Sequence, residues 1–334
     1  MNICGDNVIM FKDNNIESYE NKEYKITGEK IIEMFENHKN TFKYYFGENN
    51  TYKYYDIFTI FKKYNIYYCF DNLVNFTLLS RLNGLKEKVN LGKVKVIEKC
   101  AFIKSMWGEN YYHFLTEEIV NIIKINKFDS NIPIIINYNN KYIQDILNLF
   151  KFNNPIIKLE KDDCLKIEQC YLSNMSISGK PSKIELSLIR DTLLEKNLIN
   201  FQRTDIGIII KRNESERSLI NFGEVYNHLI SKYKNIEWII FENLNITETI
   251  KLFSNCKIII APHGAGLTNM LFAPNGSTII ELMPYSDPNE CYFHLSNMLD
   301  HEYNCIVVED SGKNNGKQMN LKLEYLDKIL KTLN

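Results

Sequence analysis

The stretch that decides the fold is KIIIAPHGAGLTNMLFAPNGSTIIELM, residues 257–283. Its apolar, β-branched start predicts a strand that ends at Ala261, where Pro262 stops it. The glycines that follow predict a tight turn into a helix that begins at Leu267. A second apolar run, Thr278–Leu282, predicts the next strand. A strand, a glycine-bearing turn, a helix and another strand form the unit from which open parallel sheets are built.

The same alternation continues on both sides of this stretch. Strands are predicted at Ile206–Ile210, Ile236–Phe241, Lys257–Ala261, Thr278–Leu282 and Tyr303–Val308. Helices are predicted at Phe222–Tyr233, Thr247–Ser254, Leu267–Phe272, Asn289–Leu299 and Leu321–Leu333. This regular order predicts a Rossmann-like domain, in which a parallel sheet carries helices on both faces.

The first half of the chain is less regular but also mixes the two element types. Strands are predicted at Ile66–Phe70, Lys93–Ile97, Ile132–Ile136 and Ile167–Leu172, and helices at Tyr112–Ile125, Lys141–Phe152 and Lys183–Asn197. A polar stretch, Asn197–Asp205, separates the two halves. The 334 residues are enough for two cores. We therefore predict an α/β protein with two domains, residues 1–197 and residues 198–334.

Charge and composition exclude several classes of protein. The 40 Lys and Arg nearly balance the 41 Asp and Glu, so no overall basic field exists to hold nucleic acid. The longest charge-free run, Ile258–Ile280, is interrupted by prolines and glycines, and no membrane span is predicted. The first ten residues lack the basic start of a secretory signal, which predicts a cytoplasmic protein. The scattered cysteines include no C-x-x-C pair, and no metal site is predicted.

The glycine turn predicts an anion site. Gly264 and Gly266 let the backbone approach a ligand closely, and the N–H groups at the start of the next helix attract a phosphate. The alternative is a tight turn that needs glycine only for its dihedral angles, with His263 as a cap.

Arginine usage points to the same ligand. Only five of the 40 basic residues are Arg, and three of them lie between residues 203 and 217. Arg212 stands just past the strand Ile206–Ile210, at the same sheet edge as the glycine turn, and Arg217 follows in the next loop. The planar guanidinium binds phosphate bidentately, so the two are predicted to clamp a diphosphate. The alternative is a solvated loop in which Glu214 and Glu216 are the partners.

Three carboxylates are further candidates. His113 and Glu117, four residues apart on a helix, share one face and could divide proton transfer and charge stabilisation between them. An exposed ion pair, a helix-start carboxylate and half a zinc site remain as alternatives. Glu118 points about 100° away and is expected to tolerate replacement by Gln. Glu242 and Glu281 lie at or near strand ends, where carboxylates accept hydrogen bonds from ribose or serve the structure.

Together these blocks resemble glycosyltransferase family 61, which includes plant xylan-decorating transferases and animal enzymes that add N-acetylglucosamine to protein glycans. The resemblance rests on HGAGLTN followed by LFAPNGSTIIELMP (residues 263–284), on Glu242–Phe253, on Lys211–Arg212 with Arg217, and on NYYHFLTE (residues 110–117). Matching blocks cover residues 107–118 and 206–284. Glu117 stands where characterised eukaryotic members tend to have Asp, and the missing membrane anchor means that their glycoprotein acceptors do not carry over.

The resemblance implies a GT-B fold: two Rossmann-like domains that face across a cleft, with the sugar nucleotide in the C-terminal domain and the acceptor mainly against the N-terminal one. It implies inverting, metal-independent transfer from a nucleoside diphosphate sugar, foremost a UDP-sugar, to a hydroxyl of a glycan or protein-linked acceptor. No cofactor is implied. Glu117 would be the catalytic base with His113 beside it. The donor-binding residues would be Arg212, Arg217, Glu242, His263, Gly264, Ala265, Gly266, Leu267, Thr268, Asn269 and Glu281.

Two other functions fit parts of the sequence. An ester hydrolase would also use an H-G-x-G turn, but it needs a downstream G-x-S-x-G elbow that this sequence lacks. A nucleotide-sugar or glycan-binding module without turnover stays open, and only Glu117 weighs against it.

Overall fold

The computed structural model describes residues 95–103, 107–136, 140–158, 165–173, 178–212, 216–242, 244–312 and 316–331, together with the backbone of six strands before residue 76. The strands are Asn7–Met10 (β1), Lys22–Ile26 (β2), Ile31–Ile32 (β3), Asn50–Tyr54 (β4), Thr59–Cys69 (β5), Asn72–Asn75 (β6), Lys95–Ile103 (β7), Ile134–Ile136 (β8), Ile156–Lys158 (β9), Leu165–Ser173 (β10), Ile206–Ile210 (β11), Glu237–Phe241 (β12), Cys256–Pro262 (β13), Thr278–Pro284 (β14) and Glu302–Val308 (β15).

The helices are Tyr111–His113 (α1), Ile119–Phe128 (α2), Lys141–Phe150 (α3), Lys183–Glu195 (α4), Phe222–Lys232 (α5), Ile246–Phe253 (α6), Cys291–Met298 (α7) and Leu323–Leu330 (α8). A π-helical turn, Phe114–Glu118, joins α1 to α2, and a 3₁₀ helix, Ala265–Phe272, follows β13. Within the described ranges, no helix has the length and apolar character needed to cross a membrane.

Residue contacts divide the chain into two compact units. The first contains Met1–Lys22 and Tyr55–Ser178, and the second contains Glu23–Tyr54 and Gly179–Asn334. Helix α4 belongs to the second unit, where Arg190 Nη2 donates a hydrogen bond of 2.9 Å to the carbonyl oxygen of Ala273. The domain boundary after residue 197 stays a prediction.

The first unit is built on a mixed sheet of order β1-β5-β10-β7-β8-β9, with β6 also paired to β5. Strands β10, β7, β8 and β9 run parallel, whereas β5 is antiparallel to its neighbours. The π-helical turn and α2 bury Phe114, Leu115, Ile119 and Ile122 completely. This apolar stripe fixes which face of the segment His113 and Glu117 can occupy.

The second unit carries a parallel sheet of order β12-β11-β13-β14-β15-β3. Its central strands are nearly continuous runs of buried β-branched residues, such as Ile258–Ile260, because a parallel sheet is covered on both faces. Helices α5, α6 and α7 and the 3₁₀ helix connect its successive strands. The prediction of an α/β, Rossmann-like fold is confirmed for this unit.

Several elements differ from their sequence predictions. Strand β5 begins at Thr59, well before its predicted start at Ile66. The helix expected at Leu267–Phe272 is a 3₁₀ helix that begins at Ala265, a tighter geometry used in short pieces. Strand β7 extends to Ile103, well past its predicted end at Ile97, because the apolar run from Cys100 continues into the buried core.

Candidate functional site

The strand order of the second unit creates a crevice. The chain passes from β11 to β12 on one side and then returns to β13 on the other side of β11. The connections that follow β11 and β13 therefore leave in opposite directions. Ligands of open α/β sheets bind outside the carboxyl ends of such a pair of strands. Arg212 follows the carboxyl end of β11, and His263 follows that of β13.

Arg212 and the glycine turn are in direct contact at this point. Its Nη1 donates a hydrogen bond of 2.9 Å to the carbonyl oxygen of His263. Gly264 has φ 155°, and a Cβ atom there would lie 1.7 Å from Arg212 Nη1. Glycine is thus required for close approach, as the sequence suggests, but the group that approaches is the guanidinium of Arg212. Position 266 favours glycine for a separate reason, because a Cβ atom there would lie 3.1 Å from Ile210 Cγ2.

The backbone donors of the turn are fewer than the sequence predicts. The N–H of Leu267 donates to the carbonyl oxygen of Gly264 at 2.9 Å and is therefore not free for a ligand. Within the described chain, the N–H groups of Gly264, Ala265 and Gly266 have no protein acceptor. The first N–H groups of a helix have no partner within it, so these three can serve an anion.

The next residues of the motif face inward. Leu267, Thr268 and Asn269 are all buried in the 3₁₀ helix, and Ala265 is exposed at its start. Their side chains are therefore enclosed by protein, and their part in donor binding stays a prediction.

A second guanidinium lies beside the first. Burial lowers the pKa of Arg212, and the neighbouring charge of Arg217 lowers it further. Arg217 Nε is enclosed and has no hydrogen-bond acceptor in the described part of the chain, and Glu216 comes no closer than 3.9 Å to Arg217 Nη2. Glu214, the other carboxylate expected as a partner, lies outside the described residues. Two adjacent cations with so little compensation favour an anionic ligand.

Tyr292 completes this side of the site, although sequence reasoning missed it. It stands in the first turn of α7, its ring centroid is 5.1 Å from that of His263, and it is 4% exposed. Burial raises its pKa well above the usual value, so it stays a neutral hydrogen-bonding phenol. The sequence could have indicated Tyr292 by its position just after β14, because loops at the carboxyl ends of parallel strands line such crevices.

Behind His263 lies a buried carboxylate. His263 Nδ1 is 2.5 Å from Glu281 Oε1, and Tyr303 donates its hydroxyl proton to Glu281 Oε2 at 2.5 Å. Glu281 has no exposed surface, so it would act on a ligand only through His263. Glu242, the other strand-end carboxylate, is 40% exposed and pairs with Lys211 Nζ at 2.7 Å.

The first unit holds the pair that the sequence placed on one helix face. His113 Nδ1 is 2.7 Å from Glu117 Oε1, and Glu117 is only 5% exposed. The pair is therefore no solvated surface contact. It lies at the π-helical turn Phe114–Glu118, a rare widening of a helix that is frequent at functional sites.

Ser178 approaches the same pair, with its Oγ 3.4 Å from His113 Nδ1 and 3.5 Å from each carboxylate oxygen of Glu117. A hydrolytic triad needs the ring to bridge serine and carboxylate with different nitrogens. Here both meet Nδ1, and the arrangement does not match that chemistry.

Glu118 is buried together with Glu117. It has no exposed surface, and Thr116 beside it is 1% exposed, with its hydroxyl donating to the Tyr112 carbonyl oxygen at 2.8 Å. The π-helical turn thus packs all of its residues inward, and the tolerance of Glu118 to Gln stays a prediction.

The comparison with protein families decides the classification. The model of the family described as Glycosyltransferase 61 matches residues 111–280, just over half of the chain. The chain belongs to glycosyltransferase family 61. The matched region begins at α1 and contains the His113–Glu117 pair, Arg212, Arg217 and the whole glycine turn.

Curated relatives in this glycosyltransferase family are similar over shorter stretches. The EGF domain-specific O-linked N-acetylglucosamine transferase of Drosophila melanogaster is 34% identical over 95 residues, which are 28% of this chain and 18% of that protein. The human protein O-linked-mannose beta-1,4-N-acetylglucosaminyltransferase 2 is 29% identical over 104 residues, 31% of this chain and 16% of that protein. The alignments thus span less than a fifth of either relative.

A solved structure, that of a mutant flavo di-iron protein from Thermotoga maritima, aligns over 84% of this chain and 91% of its own, at 9% identity. Its TM-score of 0.30 is too low to inform either the fold or the function of this glycosyltransferase family member.

Proposed function

We propose that this chain is an inverting, metal-independent glycosyltransferase that uses a nucleoside diphosphate sugar, foremost a UDP-sugar, and transfers the sugar to a hydroxyl of a glycan or protein-linked acceptor. Both relatives named above are transferases of N-acetylglucosamine by their descriptions, so UDP-N-acetylglucosamine is the first donor to test. The GT-B arrangement that the family resemblance implies and the cytoplasmic location that the sequence predicts are part of this proposal.

One observation carries the proposal. Arg212 and Arg217 lie side by side at the carboxyl ends of β11 and β13, next to the N–H groups of Gly264, Ala265 and Gly266. A diphosphate carries the charge and the acceptor oxygens that such a set of donors lacks. The arginines would stabilise the negative charge that develops on the leaving group, a task that a divalent ion performs elsewhere.

Glu117 is the proposed base. When the acceptor oxygen bonds to the anomeric carbon, the bond to the donor phosphate breaks and its electron pair stays on the nucleoside diphosphate. The acceptor hydroxyl proton passes to the Glu117 carboxylate, which His113 and Ser178 orient. Attack opposite to the leaving group inverts the anomeric centre.

Calorimetric titration with UDP tests the donor site. Arg217→Ala is expected to weaken binding by about 1 to 3 kcal/mol, the range of a charge-assisted hydrogen bond, and EDTA is expected to change nothing. Arg203→Ala is the matched control, because Arg203 is exposed and precedes the amino end of β11, at the opposite sheet edge. Equal UDP affinity in all three proteins, or a strict need for a divalent ion, would overturn this site.

Turnover separates the enzyme from a binding module that has lost catalysis. A transferase that binds UDP-N-acetylglucosamine is expected to hydrolyse it slowly when no acceptor is present, with release of UDP. Binding without any hydrolysis or transfer, across a set of glycan and peptide acceptors, would favour the non-catalytic alternative.

A further inference from the structure

Arg217 has a backbone conformation that is unusual for an arginine. Its φ is 53°, in the left-handed region that favours glycine. A residue with a β-carbon stays in this region only where its surroundings hold it there. The same angle sets the direction of the Cα–Cβ bond and, with it, the side of the loop on which the guanidinium lies. The contacts that hold the backbone of Arg217 therefore also place its side chain.

These contacts come from a segment after β15 that we call the brace. The brace consists of residues 310–312 and 316–319. The N–H of Arg217 donates to the carbonyl oxygen of Gly316 at 2.7 Å. The pairing continues along the loop, because the Met319 N–H donates to the Ser218 carbonyl oxygen and the Ile220 N–H donates to the Met319 carbonyl oxygen, both at 2.9 Å. Met319 is completely buried, so the brace is anchored in the core of the second unit.

Hydrogen bonds also join the two parts of the brace to each other. The N–H of Ser311 donates to the Gln318 carbonyl oxygen at 3.0 Å, and the N–H of Gln318 donates to Ser311 Oγ at 2.9 Å. The N–H of Lys317 donates to the Gly312 carbonyl oxygen at 3.1 Å, and that of Gly312 donates to Asp310 Oδ1 at 2.7 Å. A contact made by one part of the brace is therefore passed to the other.

Two contacts tie the brace to the loop after β14. The N–H of Ser286 donates to Asp310 Oδ2 at 2.8 Å, and Lys317 Nζ donates to Asp287 Oδ2 at 2.5 Å. The Lys317 side chain is 17% exposed, so its ion pair is less screened than one on the open surface. Lys317 directly follows Gly316, and its ion pair thus acts beside the oxygen that accepts the Arg217 N–H.

We propose that the brace positions Arg217 for the diphosphate of the donor, and that Lys317 and Asp287 are positioning residues whose ion pair holds the brace in place. This inference rests on the proposed function and deepens it. The charges of Arg212 and Arg217 repel each other, so the two guanidinium groups stay together before a donor binds only if the backbone holds them. Such preorganisation raises affinity, because less free energy is lost in ordering the site on binding.

Calorimetric titration with UDP tests this role through Asp287→Asn. The substitution removes a negative charge at the sheet edge of the proposed anion site, so electrostatics alone would tighten UDP binding. Positioning predicts the opposite sign: affinity should fall by about 3- to 10-fold, a part of the loss caused by removing the Arg217 guanidinium itself. Asp287→Glu keeps the charge and should bind UDP more tightly than Asp287→Asn. Unchanged or tighter binding by Asp287→Asn overturns the inference.

A second background separates positioning from a merely structural role. In Arg217→Ala, the further substitution Asp287→Asn should change UDP affinity by less than about 2-fold, because the group through which the ion pair acts is missing. An equal loss in both backgrounds would mean that Asp287 acts by another route and would overturn the inference. Lys317→Met breaks the same ion pair from its other side and should show the same dependence on Arg217. If Asp287→Asn does not fold, Lys317→Met decides the matter.

Asp300→Asn is the matched control. Asp300 Oδ1 lies 2.6 Å from Lys183 Nζ in the same unit, but it precedes β15 and so lies at the opposite edge of the sheet. Both variants lose a partly exposed ion pair, and only Asp287→Asn should weaken UDP binding. If Arg217→Ala weakens UDP binding and Asp287→Asn does not, this inference fails and the proposed function stands. If the wild type does not bind UDP, the proposed donor and this inference fail together.

Discussion

Replacing Gly264 with alanine is expected to drive Arg212 off the glycine turn. The added Cβ would lie 1.7 Å from Arg212 Nη1, and φ 155° belongs to a region that only glycine adopts readily. Losing the charge-assisted hydrogen bond to His263 costs about 1.5 to 3 kcal/mol. The strained dihedral angle adds about 1 to 3 kcal/mol. The second unit should therefore lose about 2.5 to 6 kcal/mol of unfolding free energy, and UDP affinity should fall with it.

Urea unfolding followed by tryptophan fluorescence measures this loss. The chain has two tryptophans, and Trp107→Phe leaves Trp238, buried in the second unit, as the only reporter. Gly223→Ala is the control, because its Cβ would meet nothing within 4 Å in the first turn of α5. Alanine there is expected to stabilise by up to about 1 kcal/mol.

A double variant then isolates the clash. Combining Gly264→Ala with Arg212→Ala removes the colliding guanidinium, so the hydrogen bond to His263 is lost only once and the dihedral strain is added to that loss. The double variant should thus lose about 1.5 to 3 kcal/mol less than the sum of the two single losses. Additive losses, or a Gly264→Ala protein as stable as the wild type, would refute the contact between Arg212 and the turn.

Two other predictions concern the base and the buried histidines. Glu117→Gln should lower transfer turnover by about 10² to 10⁴-fold without changing donor affinity, because the amide cannot take a proton. Steady-state kinetics measures this loss, and Glu98→Gln, which changes an exposed carboxylate of β7, is the control. If Glu117→Gln turns over at the wild-type rate, the base lies elsewhere. The second unit should lose stability as pH falls from about 6.5 to 4, because burial lowers the pKa of His294 and His301 to about 4 and the unfolded chain binds more protons in that range. The urea midpoints of the wild type at about pH 6.5 and pH 4 measure this loss of stability. His301→Gln should reduce the difference between the two midpoints, and equal midpoints in the wild type would contradict the prediction.

Most of the second unit could be predicted from local patterns. Its apolar β-branched runs are bounded by charged, polar or turn-forming residues, so strands such as β11 and β14 were located within a few residues. The HGAGLTN block identified the family for the same reason: its chemistry is concentrated in a short contiguous segment, residues 263–269.

The contacts between segments could not be predicted in this way. That Arg212 touches His263 depends on β11 and β13 being neighbours, and strand order is not written in the periodicity of either run. The inward packing of Glu118 depends on a π-helical turn, which has no sequence signature.

Glu281 is an intermediate case. A single carboxylate inside the apolar run TIIELM must have a partner, because burying an unpaired charge is prohibitive. That much could be inferred, but the identity of its partners could not. His263 lies 18 residues before it and Tyr303 lies 22 residues after it.

The place of β3 in the second sheet has a consequence for how the chain is made. Ile31–Ile32 pairs in parallel with Cys305–Ile306 of β15, so the last edge of this sheet is closed by a segment from near the start of the chain. Because the ribosome adds about 5–20 residues per second and β15 follows β3 by roughly 270 residues, β3 waits on the order of 15 to 50 s for its partner. Until then β3 lacks the strand with which it pairs in this sheet. A chain shortened to begin at Gly179 would expose β15 as an open edge that invites self-association. Vectorial synthesis therefore delays the completion of the proposed donor-binding unit until β15 has been made.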